Sequence, residues 1–147
     1  MLKEEIERII KKCDVCVVSM VDENGLPYSI PMNFGFHKDV IILHSSKEGK
    51  KIDILKKNNN VCVVFSTDHE LTKQSEKVAC SYSMKYRSVL AFGKVDFIQE
   101  KKQKIDYLNI LMENYTSQKF TYGDPAINGV CVFIVKVEKL EARAYGY

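Results

Sequence analysis

The chain lacks any apolar run approaching the roughly 20 residues that a membrane-spanning helix needs, and its opening Met1-Leu2-Lys3-Glu4-Glu5 lacks the apolar core of a secretory signal. A cytoplasmic protein without a membrane partner is expected. A dominant charge is also missing: 22 Lys and Arg face 19 Asp and Glu, a net +3, with no long basic tract. That balance argues against a nucleic-acid partner and for a small-molecule substrate. No Gly-x-Gly-x-x-Gly follows a strand, so no separate dinucleotide-binding domain is indicated. The cysteines, Cys13, Cys16, Cys62, Cys80 and Cys131, are odd in number, which disfavours a disulfide framework. Cys13-Asp14-Val15-Cys16 has the spacing of a redox pair or half a zinc site, but no second pair and no His-x-x-x-His follows. Cys16 and Cys62 lie in valine-rich stretches, where cysteine serves as a small buried hydrophobe, so free thiols and no metal are expected.

What is present suits one core. With 147 residues and 46% hydrophobic content the chain is long enough for one ordinary domain and too short for two, so a single domain over 1–147 is expected. Leu2, Ile6, Ile9 and Ile10 set an apolar stripe on a first helix whose other face is charged. Val15 to Val21 reads as a strand, Asp22-Glu23-Asn24-Gly25 as a hairpin turn, and Tyr28 to Phe36 as a strand pairing back. Pro27 and Pro31 cannot donate ladder hydrogen bonds, so this strand has an edge or irregularity where a ligand could dock. After a turn at His37-Lys38-Asp39, the pattern predicts a strand over Val40 to Ser45, a helix over Gly49 to Lys57 and a strand over Val61 to Phe65. Asp68 to Met84 is polar and reads as a long functional loop. Arg87 to Gln99 reads as a strand with a bulge or bend at Gly93. A helix near Lys102 to Tyr115 follows, with Ile105, Leu108, Leu111, Met112 and Tyr115 as its apolar face, and Val130 to Val137 is the last strand. Many strands with few crossover helices predict an antiparallel barrel.

The most informative stretch is His44-Ser45-Ser46-Lys47-Glu48-Gly49-Lys50-Lys51, where strand character gives way to helix. A helix start offers unpaired N–H groups and a positive dipole end, Ser45 and Ser46 add hydroxyls, Gly49 permits close backbone approach, and Lys50 or Lys51 can neutralise an anion. Taken alone, the segment reads more simply as a solvated first turn with a serine cap.

Three segments change that reading. Gly25-Leu26-Pro27-Tyr28-Ser29-Ile30-Pro31-Met32-Asn33-Phe34-Gly35-Phe36, the His44–Lys51 junction and Tyr86-Arg87-Ser88-Val89-Leu90-Ala91-Phe92-Gly93-Lys94-Val95, in this order, resemble the FMN-binding split-barrel flavoproteins. Within them the likeness is to the pyridoxamine 5′-phosphate oxidase-related branch that includes nitroimidazole-resistance proteins, and it covers most of the chain. The resemblance implies a mainly β fold with peripheral helices, an antiparallel split β-barrel, and a homodimer with flavin near the subunit interface. It implies Met32, Asn33 and Phe34 as contacts of the flavin ring, with backbone amides as the donors, and Ser45, Ser46, Gly49, Lys50 and Lys51 as phosphate ligands. Tyr86, Arg87 and Ser88 would complete the site from one subunit or the other. His44, facing the flavin pocket, would be the catalytic proton donor.

The activity implied is reduction of small organic acceptors such as nitroaromatics, with electrons from NAD(P)H or another donor. The alternative is a split barrel that binds or senses flavin or haem without turnover. Pyridoxamine 5′-phosphate oxidase activity itself is not expected, because Glu138-Lys139-Leu140-Glu141-Ala142-Arg143-Ala144-Tyr145 does not match that enzyme's arginine-rich terminal strand. An oligonucleotide-binding barrel would need basic residues beside Tyr28, Phe34 and Phe36, and these are sparse. His37 and His69 read as solvated residues, Tyr107, Tyr115 and Tyr122 as packing or rim residues, and Arg87 as either a phosphate clamp or a barrel-end ion pair.

Overall fold

In the computed structural model, which describes residues 1–147, the valine-rich and alternating segments form seven strands and the amphipathic ones form helices. In chain order these are α1 (Lys3–Lys12), β1 (Cys16–Val21), β2 (Pro27–Met32), β3 (Gly35–His37), β4 (Val40–Ser46) and α2 (Lys50–Lys57). Then come β5 (Asn60–Thr72), β6 (Ser83–Ile98), α3 (Lys101–Glu113), α4 (Asp124–Gly129) and β7 (Val130–Tyr145). All strands lie in one sheet of order β2-β1-β5-β6-β7-β4-β3, and every pairing is antiparallel.

Period-two alternation gives the sheet an inner and an outer face. Val18 and Met20 of β1, Val63 and Phe65 of β5, Val89 and Ala91 of β6, Phe133 and Val135 of β7, and Ile41 and Leu43 of β4 meet in the main core. Residues one step along β4 and β7 point the other way. Ile42 and Ile134 pack on Leu111 of α3, and Val132 packs on Leu108 and Ile127. Helix α2 has only eight residues, too short to persist alone. It is held because Ile52 and Leu55 are almost fully buried, each contributing about 1.5–3 kcal/mol through removal from water.

The predicted strand over Tyr28 to Phe36 is two strands at opposite edges of the sheet. β2 pairs with β1, and β3 pairs with β4. Asn33 and Phe34 carry the chain from one edge to the other, so the curled sheet is joined covalently there but no ladder pairs its edges. This open seam makes the barrel a split one. The freed backbone at the crossing is bonded by residues at the end of α3. The Tyr115 hydroxyl accepts from Phe34 N–H at 2.9 Å and donates to Asp14 C=O at 2.7 Å, while Asn114 Nδ2 donates to Phe34 C=O at 3.2 Å. Tyr115 lies two residues beyond the last residue of α3, so it is a seam bond rather than part of an apolar helix face.

The remaining differences have a common origin in β6 and β7. The polar stretch Asp68 to Met84 is a shorter loop than predicted: β5 runs on to Thr72 and β6 begins at Ser83, leaving the ten residues 73–82 as the connection. β7 continues past Val137 to Tyr145, because residues 139–145 find partners in the first half of β6. A register shift between Phe92 and Gly93 accommodates this, as the glycine foretold. A Cβ on Gly93 would lie 2.2 Å from Lys136 C=O. The helix expected from Gly49 starts one residue later, at Lys50, and α4 forms where the sequence pattern predicts no element.

Replacing Tyr115 with Phe leaves Phe34 N–H without its partner, at a cost of about 1–3 kcal/mol. Chemical denaturation should show a lower midpoint with an unchanged slope; an unaltered midpoint would remove the seam from the list of stabilising contacts.

Candidate functional site

The junction between β4 and α2 gathers groups that an anion site uses. Gly49, the N-cap, has φ +135°, a conformation a side chain resists, and no side chain caps the helix. The first N–H groups of α2 therefore remain open. Ser45 Oγ donates to Ser46 C=O and Ser46 Oγ to Glu48 C=O, both at 2.8 Å, so the two hydroxyls stand at the same turn with their lone pairs and rotors near the surface. Lys47, Lys50 and Lys51 surround it, with Lys50 Nζ held 4.8 Å from the Tyr28 ring centroid. Lys47 and Lys51, together with Lys56 and Lys104, are close enough to Cys131 to favour its thiolate, against the stronger opposing effect of burial. The cationic field is thus focused on one spot, which suits phosphate.

The other assigned residues divide. Asn33 is exposed at the seam, with Nδ2 3.5 Å from Asp14 C=O. The side chains of Met32 and Phe34 belong to the core, Phe34 edge-on to Phe65 at 4.9 Å between ring centroids, so what these two residues present at the seam is main chain. His44 is half-buried on the α3 side of β4, opposite Val132 and one face removed from Ser45. Burial alone holds its pKa below the ordinary histidine value, which leaves a neutral imidazole at pH 7.

Tyr86, Arg87 and Ser88 are not brought to the junction. Ser46 sits opposite Val130 and Arg87 opposite Ala144, so the two groups lie at opposite ends of β7, about 45 Å apart along the strand path. Nor do the three share a face. Arg87 points inward, bonding Asp68 Oδ2 at 2.8 Å and stacking 3.8 Å from the Tyr147 ring centroid, which is the barrel-end ion pair of the two readings. Tyr86 and Ser88 point outward, on the face carrying Val17, Val64 and Leu90. Those apolar residues are exposed or half-buried and join no core cluster.

Sequence reasoning missed one polar pair. His69 is not in a loop; it sits at an irregularity of β5 between Thr67 and Glu70, and its Nε2 is 2.7 Å from Ser66 Oγ. Nothing in the polar run around it marked the strand. The cysteines are all free, and burial pushes the Cys16 thiol up to about 12 and raises that of Cys13, so this pair is a poor thiolate source. No helix is long and apolar enough to cross a membrane.

An open seven-stranded antiparallel sheet, curled around one core with helices at its margins, is a split barrel. The chain belongs to the pyridoxamine 5′-phosphate oxidase family, whose model it matches over residues 3–144. It is 43% identical to a proposed 5-nitroimidazole antibiotic resistance protein from Bacteroides thetaiotaomicron, over 96% of this chain and 82% of that one, with a TM-score of 0.87. The fold is shared with the flavocytochrome Anf3 from Azotobacter vinelandii (TM-score 0.85, 17% identity, 99% of this chain and 68% of that one). It is shared too with an FAD- and haem-binding protein from Mycobacterium smegmatis (TM-score 0.85, 18% identity, 99% and 73%). No curated protein is significantly similar to the chain.

The depressed His44 pKa has a stability consequence. Between the folded value and 6.5, the unfolded chain binds a proton that the folded one does not, so stability falls as pH drops through that window. Thermal unfolding of the wild type and His44→Gln at about pH 8 and pH 5 should show the wild type losing more on acidification. Equal losses would mean that His44 titrates normally.

Proposed function

We propose that the protein is an FMN-dependent oxidoreductase that takes electrons from NAD(P)H and reduces small organic acceptors, nitroaromatics among them, as a homodimer. The observation that carries the reading is the uncapped, lysine-rich start of α2 with its two serine hydroxyls and a glycine in the left-handed region. That donor set fits a phosphate monoester, and the similarity to the Bacteroides thetaiotaomicron protein supports the acceptor class. Ser45, Ser46 and the N–H groups beside Gly49 would bind the phosphate oxygens, and Lys50 and Lys51 would balance their charge. Asn33, exposed where the two sheet edges meet, would orient the ring by hydrogen bonds, helped by the neighbouring main chain. The hydride and electron chemistry would be that of bound FMN.

The dimer is supported by the uncovered outer face of β1, β5 and β6. A second copy packed on Val17, Val64 and Leu90 would bury them and carry Tyr86 and Ser88 toward the junction of its partner. His44, neutral in the resting protein, would hold a proton on one ring nitrogen and deliver it to the reduced acceptor.

A second reading, flavin or haem binding without turnover, is supported by the fold shared with the flavocytochrome and with the FAD- and haem-binding protein, and by a neutral His44 able to ligate iron.

The absorption spectrum of the purified protein with added FMN, then NADPH without oxygen, separates the two. A flavin spectrum that bleaches is expected. Persistent colour favours the binding protein, and failure to take up FMN overturns the flavin reading. His44→Ala should keep FMN and lower acceptor reduction by about a hundredfold; equal turnover would remove its proton-donor role.

A further inference from the structure

Arg87 is left without a part in the proposed flavin site, and its surroundings assign it another. α1 lies across one end of the barrel, and between it, the start of β6 and the end of β7 is a cleft of about 780 Å³, within the range of small-molecule sites. It opens on the inner face of the sheet, away from the outward-pointing Tyr86 and Ser88. Its floor is apolar, made by Ile9, Ala142 and Ala144. Cations ring it: Arg8 and Lys12 from α1 and Arg87 from β6.

We propose that this cleft binds a small amphipathic monocarboxylate, with its apolar body on Ile9, Ala142 and Ala144 and its carboxylate between Arg87 and Arg8. Arg87 is fixed before any ligand arrives. Asp68 Oδ2 holds Nη1 at 2.8 Å, the guanidinium carbon lies 3.8 Å from the Tyr147 ring centroid, and the Tyr147 hydroxyl is tied to Asp68 C=O. Only one of the five guanidinium N–H donors is engaged by a protein oxygen, so a fork remains for a planar carboxylate. A preorganised donor loses little side-chain entropy on binding. Arg8 has no ion-pair partner at all.

The two acids at the cleft do not oppose an anion strongly. Asp68 also takes Lys12 Nζ at 2.7 Å, so its charge is balanced by two cations. Glu5 lines the cleft too, but one of its carboxylate oxygens is engaged, accepting the Leu2 N–H at 2.7 Å. With Arg8, Lys12 and Arg87 against Glu5 and Asp68, the lining side chains carry a net charge of +1, which matches one negative charge and not the two or more of a phosphate ester. The apolar floor in turn rejects a fully hydrated inorganic ion.

The test is an amide NMR titration of the 15N-labelled full chain with benzoate, benzamide and inorganic phosphate. Benzoate is expected to shift the amides of Ile9, Arg87, Ala142 and Ala144 saturably, with half-saturation at about 1 mM, whereas isosteric neutral benzamide and phosphate leave them in place. Arg8→Gln, at an exposed residue that bonds nothing, should weaken benzoate about tenfold with the rest of the spectrum and FMN uptake unchanged. Absence of saturable shifts up to about 10 mM benzoate, equal response to benzamide, equal response to phosphate, or unchanged affinity in Arg8→Gln would each overturn the proposal. FMN uptake is read separately, so failure of the flavin reading leaves this result intact.

Discussion

The structure depends on a two-residue crossing. Asn33 and Phe34 take the chain from β2, at one edge of the sheet, to β3, at the other, and no backbone ladder bridges the gap. Backbone polar groups at such a place need partners from elsewhere. They come from the end of α3, where the Tyr115 hydroxyl bonds Phe34 N–H and Asp14 C=O at once and Asn114 takes the Phe34 carbonyl. Phe34 meanwhile drives its ring into the core against Phe65. The seam is therefore closed by side chains and burial, and the surface polar group that remains there is Asn33.

From this follows the placement of everything chemical. With β4 and β7 paired on one side of the seam, the end of β4 and the start of α2 come together at one end of the barrel, gathering hydroxyls, open N–H groups and lysines. The long β6–β7 ladder carries Tyr86, Arg87 and Ser88 to its other end. Alternation then separates them again: Arg87 turns inward to Asp68 and Tyr147, while its neighbours turn outward. In the homodimer proposed above, a site using both ends of β7 would be assembled between two chains. The inward group has its own cleft, and the two surfaces can take different ligands.

Much of this was legible in the sequence. Periodicity marks α1, α2, α3 and most strands, Gly93 marks the bulge, and the strand-to-helix change at His44–Lys51 is where the sequence places it. The misreadings are specific. Residues 139–145 alternate charged with apolar side chains and could have been read as strand, but their polarity masked the pattern until β6 supplied partners. The same holds for 68–72, where pairing with β6 overrode low apolar content. Spacing alone does not tell that Met32 and Phe34 turn their side chains into the core and leave Asn33 between them exposed, although successive positions face opposite sides.

The sequence by itself determined the class: one mixed chain of strands and amphipathic helices, with a serine-, glycine- and lysine-rich turn between a strand and a helix. Those are local properties, written in spacing and residue type within a few positions. Only the tertiary structure decided that one apparent strand is two edges of a split barrel, that Tyr115 closes the seam, and that Arg87 belongs to a cleft of its own. These depend on which residues meet across tens of positions of chain, and long-range pairing and the facing of a side chain on a curved sheet leave no mark on nearest neighbours.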